Sequence, residues 1–473
     1  TAGELTTNDG SADRNLTVTG HTAISSGGTL TLNSSTCTFT GFLRNQGTFT
    51  GGSGTHTFGN GLRNDNNMTL TSGETRITGR GTGSLPDGNS TICFDDQGGT
   101  MNNGGGTINI GNGGDLGGTT NIRPSTSHDL NNVIINTTNS RTVKLESDCD
   151  IAGNLTITAG TFDTSTSNRA LTVGGGIKNT GTLTANASTI LITGEIAGFA
   201  FDQMGTFNAG TSTIQIGDGS TSTVGSSTHF KSNNCHNLII NQHQDAPNGN
   251  VAWRAYTGTE VTIGGNLTVT RGRFYRNTST QDLTVTGHVN IASVGKLGTE
   301  AASGSNTFGT LTIASGGTYQ ATSETTTITQ ANGAPVNGRC WFIPNSATFT
   351  HNNGLCKFTA SSPQVEMVSS GGTSTPNPFY DVEQTTGTMQ WKGEHTKVLN
   401  NATLRGSQFN GSTGNLTVLG ICRFTAGTFN ASDTSTSDNS FFGTLVIESG
   451  ATVDLSAIDI TVGSVRNLGG TIQ

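Results

Sequence analysis

Apolar side chains along this chain come singly and at fixed intervals. A pattern of Gly-Thr-apolar, a polar turn, then an alternating run recurs, with two apolar anchors always nine residues apart. The pairs are Leu30/Phe39, Phe49/Phe58, Met68/Ile77, Met101/Ile110, Leu183/Ile192, Phe207/Ile216, Tyr319/Ile328 and Phe349/Phe358. The first three follow one another at 19-residue steps, and the step from Leu183 to Phe207 is 24. Strand side chains alternate with period two, so an odd spacing cannot keep both anchors on one face of a straight strand. A corner must lie between them. Asn, Gly and Ser supply it, since they tolerate left-handed backbone or bond their own main chain. Each unit therefore reads as two short strands around a corner.

Coils of about 19 to 25 residues predict an all-β fold: a parallel β-solenoid, or β-helix, with right-handed crossovers, stacked into an elongated rod. Runs such as Asn15-Leu16-Thr17-Val18-Thr19-Gly20 alternate apolar-in with Thr-out, and β-branched Thr suits a pleated outer surface. No helical period appears.

A longer rhythm overlies the coils. NVIIN at Asn132 to Asn136 and NLIIN at Asn237 to Asn241 act as openers, with a weaker copy at Asp381-Val382-Glu383. Asn-Leu-Thr strands follow at Asn154, Asn266 and Asn415. FGTLTIASGGT at 308–318 returns as FGTLVIESGAT at 442–452. Four solenoid blocks result, 1–126, 127–234, 235–375 and 376–473. The first has no opener, and Gly470-Thr471-Ile472 starts a unit whose second anchor would fall beyond Gln473. The expectation is a chain cut mid-repeat from something longer or processed, with an open sheet edge at its end.

Composition sharpens this picture. The 473 residues include 69 Gly, and only 11% are charged, against about 25% in ordinary globular proteins. With 31% apolar residues each coil buries a thin core, and backbone pairing must supply the rest. A net charge of -8 offers no basic face for nucleic acid, and no apolar run is long enough to insert in a membrane. Seven scattered cysteines, Cys37, Cys93, Cys149, Cys235, Cys340, Cys356 and Cys422, show neither paired spacing nor C-x-x-C, and read as small buried hydrophobes.

The run NLTITAGTFDTSTS at 154–167, with LTVGGGIKNTGTLTANASTI at 171–190, resembles the Asn/Thr/Gly-rich β-solenoid repeats of bacterial surface adhesins and of fibre proteins of phages, marine ones in particular. The resemblance implies a passive extracellular rod on a virion or cell surface.

Candidate chemistry is sparse. Asp95 and Asp96 are adjacent, so in a strand they point to opposite faces; Asp148 and Asp150, or Asp381 and Glu383, share one. His236 and His243 flank NLIIN seven residues apart, on opposite faces of a straight strand, and no cofactor or metal is expected. One region breaks the monotony: Trp253, Arg254, Tyr256, Arg271, Arg273, Phe274, Tyr275 and Arg276 gather aromatic and cationic side chains in a chain poor in both. Three readings fit Trp253, Arg254, Tyr256, Arg273, Phe274 and Tyr275: larger side chains filling a wider coil, a subunit contact, or a glycan-binding surface. Arg339, Trp341 and Phe342, with Trp391 and Lys392, echo it.

These features predict a non-enzymatic structural protein, a rod or filament whose partners are copies of itself or further segments of the same chain. A glycan-binding adhesin or receptor-binding fibre is the alternative, and a polysaccharide-degrading tailspike the third.

Overall fold

The computed structural model describes residues 3–8, 11–81, 91–220, 227–242, 250–254, 256–258, 260–276, 280–298, 303–331, 338–344, 346–367, 377–391, 395–409, 415–431, 440–454 and 460–473. Among these, the regular structure is all strand, paired in parallel between successive coils: a parallel β-solenoid. Contacts divide the chain into two units, Thr1–Asp218 with Ser222–Lys231, and Gly219–Thr221 with Ser232–Gln473.

In the first unit each coil has three strands rather than two. One face stacks Cys37–Phe39, His56–Phe58, Glu74–Ile77, Thr107–Gly114 and Asn132–Thr137. A second stacks Leu43–Asn45, Leu62–Asn64, Ile92–Asp96, Thr120–Arg123 and Thr142–Leu145, and continues to Thr206–Asn208. The third stacks Thr29–Thr31, Thr48–Thr50, Asn67–Thr69 and Thr100–Asn102, and later Cys149–Ile151 to Thr213–Ile216. The strand missed by the two-strand expectation is short, such as Leu43–Asn45, and follows the second anchor directly.

All sixteen anchors are buried. Each stacks on its counterpart: Leu30 on Phe49, Phe49 on Met68, Met68 on Met101; Phe39 on Phe58, Phe58 on Ile77, Ile77 on Ile110. Leu183 stacks on Phe207 and Ile192 on Ile216. Likewise Tyr319 registers with Phe349 and Ile328 with Phe358. The third residue after a first anchor takes left-handed backbone at Asn33, Gly52, Gly104, Asn186, Gly210 and Asn352, which turns the chain from one face to the next. After Met68 the same place is Thr71, whose hydroxyl donates to the Gly54 carbonyl at 2.6 Å instead.

Coil length varies more than the expected 19 to 25. Met68 to Met101 is a step of 33 residues and Ile328 to Phe358 one of 30.

The second unit is built alike. One face runs through Glu260–Ile263, Thr325–Ile328, Leu355–Phe358, Asp381–Gln384 and Ala402–Leu404. Long strands such as Leu267–Arg276, Asp282–Leu297 and Ser440–Glu448 bend at corners and serve more than one face.

The sequence motifs do not keep to one face. Leu30 and Phe39 flank the corner from the third face to the first, whereas Leu183 and Ile192 flank that from the second to the third. In the second unit the two FGTL copies also differ. Leu311 pairs with Trp341, but Leu445 pairs with Cys422 in a different stack. Copies of one motif have slipped by one face.

Candidate functional site

Corner asparagines explain the openers. Asn132 Oδ1 accepts the backbone N–H of Asn154 at 2.9 Å, and Asn154 Oδ1 accepts that of Gly176 at 3.0 Å. Asn237 and Asn266 repeat this toward Asn266 and His288, at 2.9 and 2.8 Å. Asp381 serves Asn401 at 2.8 Å, and Asn401 serves Ile421 at 3.0 Å. A Cβ on Gly153 would lie 2.4 Å from Asn132 Oδ1, and one on Gly265 2.3 Å from Asn237 Oδ1, so the Gly before Asn154 and before Asn266 is needed for this approach. Asn415 is not part of this series: its strand pairs with His395–Val398 on another face, and Asn401 holds the corner.

Several charged side chains of the first unit pair across coils. Arg44 and Arg63 are register partners of like charge, and Asp65 binds both, at 2.6 and 2.7 Å. One coil on, Asp95 faces Arg63 at 3.6 Å and Arg123 at 2.8 Å. Its neighbour Asp96 points the other way, as adjacent strand residues must. There it accepts from Asn64 at 2.9 Å and meets His128 Nδ1 at 2.7 Å. Asn45 donates to Asn64 at 3.0 Å, which completes a buried polar ladder. Sequence reasoning missed Asn45, Asn64 and His128. The signal was present as the twice-written Leu-Arg-Asn, 19 residues apart, with its middle Arg outward and its Asn inward.

The other carboxylate pairs are likewise engaged. Asp148 accepts from Ala170 N at 2.9 Å, and Glu383 pairs with Lys357 at 2.9 Å. Asp381 is the corner acceptor just described. His236 is half-buried, while His243 and Lys392 lie outside the described residues. Among the described residues no cluster of metal-ligating side chains occurs.

The aromatic and cationic region separates into interior and surface. Trp253 and Phe274 are fully buried, their rings 5.7 Å apart, and the Trp253 indole donates to the Ser232 carbonyl at 2.6 Å. Their position is a correction to any surface role: the burial that makes them pack a wide coil keeps a ligand from them. Trp341 and Trp391 are also buried, the former among Tyr319, Phe349, Phe358 and Phe379. Arg254 and Tyr256 are exposed, and Arg273 and Tyr275 half-buried on the outer face. The Arg273 guanidinium lies over the Tyr275 ring, 5.6 Å from its centre, and donates to the Gly298 carbonyl and to Gln320 Oε1 at 2.8 and 3.1 Å. Arg339 similarly covers Phe342 and meets Glu366.

Comparison with protein-family models, with curated proteins and with solved structures gives no match.

Proposed function

We propose that this chain is a non-enzymatic structural protein, a β-solenoid that forms part of a rod or filament on a virion or cell surface. What supports the reading is the parallel coil-on-coil strand pairing that recurs through each unit, with bulges at a few places. The core is filled by stacked apolar anchors, and a subset of outward charges, such as Arg123 with Asp95 and Lys357 with Glu383, is answered by a neighbouring coil. Such a stack derives its stability from nearest-neighbour contacts between coils. Self-association is the partner chemistry this surface favours. Val465 follows Leu445 in its stack and Ile472 follows Val453, yet both are exposed, so a further coil set upon them gains apolar burial and strand pairing.

Size-exclusion chromatography with negative-stain imaging tests this reading. Concentration-dependent rods or filaments are the expected outcome, and Val465→Lys with Ile472→Lys should shift them to single chains. Compact monomers at every concentration would overturn it.

A further inference from the structure

Where Arg44 and Arg63 face one another across coils, an acid, Asp65, lies between them. Arg273 and Lys296 differ from that pair. They are direct register partners on one outer face, and like charges directly opposite are unfavourable. Among the described residues neither is paired with a carboxylate: Arg273 is held by Gly298, Gln320 and the Tyr275 ring, and Lys296 is exposed. Beneath them Arg276 is buried; its guanidinium donates to the carbonyls of Gln281 and Ser305, and Asp282 is the acid near it. Arg276, Tyr275 and Gln320, with the apolar side chains of Phe274, Leu283 and Leu297, line a small cleft with room for about one water-sized group.

The outward file beside the cleft is polar and linear. Asn250, Arg273, Lys296, Thr318 and Thr348 form one file of outward side chains, in register over five coils. Successive members sit about 4.8 Å apart, close to the length of one sugar ring in a chain. A file of hydroxyl and amide groups interrupted by two uncompensated cations fits a long, hydroxyl-rich polyanion lying along the stack. It offers no apolar groove for a peptide.

We infer that the outer face carrying Arg273 and Lys296 binds an anionic polysaccharide, taking one carboxylate or sulfate between the two cations at the mouth of the Arg276 cleft. Contacts of this kind are charge-assisted hydrogen bonds, and their strength falls with salt. The inference goes beyond the rod reading, since a rod needs no such ligand.

The test uses the full chain with dextran sulfate, hyaluronate and neutral dextran as probes, read by calorimetry at low and high salt. Binding to one or both polyanions is expected, weakened by salt, with none to neutral dextran. Arg273→Gln with Lys296→Gln should lower affinity about tenfold or more, whereas the charge-keeping Arg273→Lys with Lys296→Arg should retain most of it. Should the Gln variant misfold, Thr318→Lys adds a cation to the same file and should tighten binding several-fold. Unchanged binding in the Gln variant, equal binding of neutral dextran, or no gain from Thr318→Lys would overturn the inference. A Gln variant that binds polyanions normally but loses self-association would overturn it too, and would assign the face to subunit contact.

Discussion

The rings of Phe39 and Phe58 lie 5.3 Å apart, centre to centre, and within 4° of parallel. Phe49 meets Phe58 edge-on at 6.4 Å, so the first unit's core is a column of aromatic rings as well as of aliphatic side chains. Phe58→Ala should therefore cost about 3 to 5 kcal/mol, and Phe58→Asp more, since a charge would replace the ring. Thr57, the outward neighbour, should change stability by about 0.5 kcal/mol or less on replacement by Ala. Denaturant unfolding, with protease resistance as a local readout, checks both. Ile216 and Gln215 form the same contrast at the other end of the unit.

The corner asparagines give a second prediction. Asn154→Ala leaves the Gly176 N–H without its acceptor and should cost about 1 to 3 kcal/mol. Asn154→Asp should be milder at neutral pH, because Asp381 already fills the equivalent place. Gly175→Ala should resemble Asn154→Ala, as its Cβ would lie 2.2 Å from Asn154 Oδ1. Melting curves of the three variants decide it.

How much was legible beforehand follows from these residues. The anchors were readable because each coil must return an apolar side chain to one place, which writes a constant spacing into the chain. Left unread was the strand Leu43–Asn45, too short to show a period. The opener asparagines were visible as a repeat, but their meaning was not, since a hydrogen bond to the next coil spans 22 residues from Asn132 to Asn154. Trp253 illustrates the same limit. A large amphipathic ring suits an interface or a core equally well, and only the neighbouring coil decides which.

All seven cysteines are buried as free thiols, and burial raises the pKa of every one, to about 12 for Cys93 and Cys340. Thiolate is the reactive form. A disulfide reagent such as Ellman's should accordingly find no fast-reacting thiol in the native protein at mildly alkaline pH, and seven in denaturant. Rapid native labelling of even one would contradict the packing.

His288 makes stability depend on pH. Burial lowers its pKa to about 4, and it keeps only a 2.7 Å contact from Nδ1 to the Thr310 hydroxyl. His56 is shifted in the same direction, again by burial. The unfolded chain, with histidine near 6.5, binds protons that the native state refuses. Stability should then be full above about pH 6.5 and decline as pH falls toward 4. His288→Gln should flatten that slope, as read by denaturant midpoints across the interval; an unchanged slope would mean the ring is not kept neutral.

The slip of motifs by one face means that a coil's three corners are interchangeable environments: each receives a strand, turns it and buries one side chain. Duplication within such a chain need not copy whole turns. A segment a third or two thirds of a turn out of phase still finds a seat, so kinship between segments and adjacency in space become separate properties. Superposing the two FGTL segments by sequence would thus lay Leu311 over Leu445, although they occupy different walls of the prism.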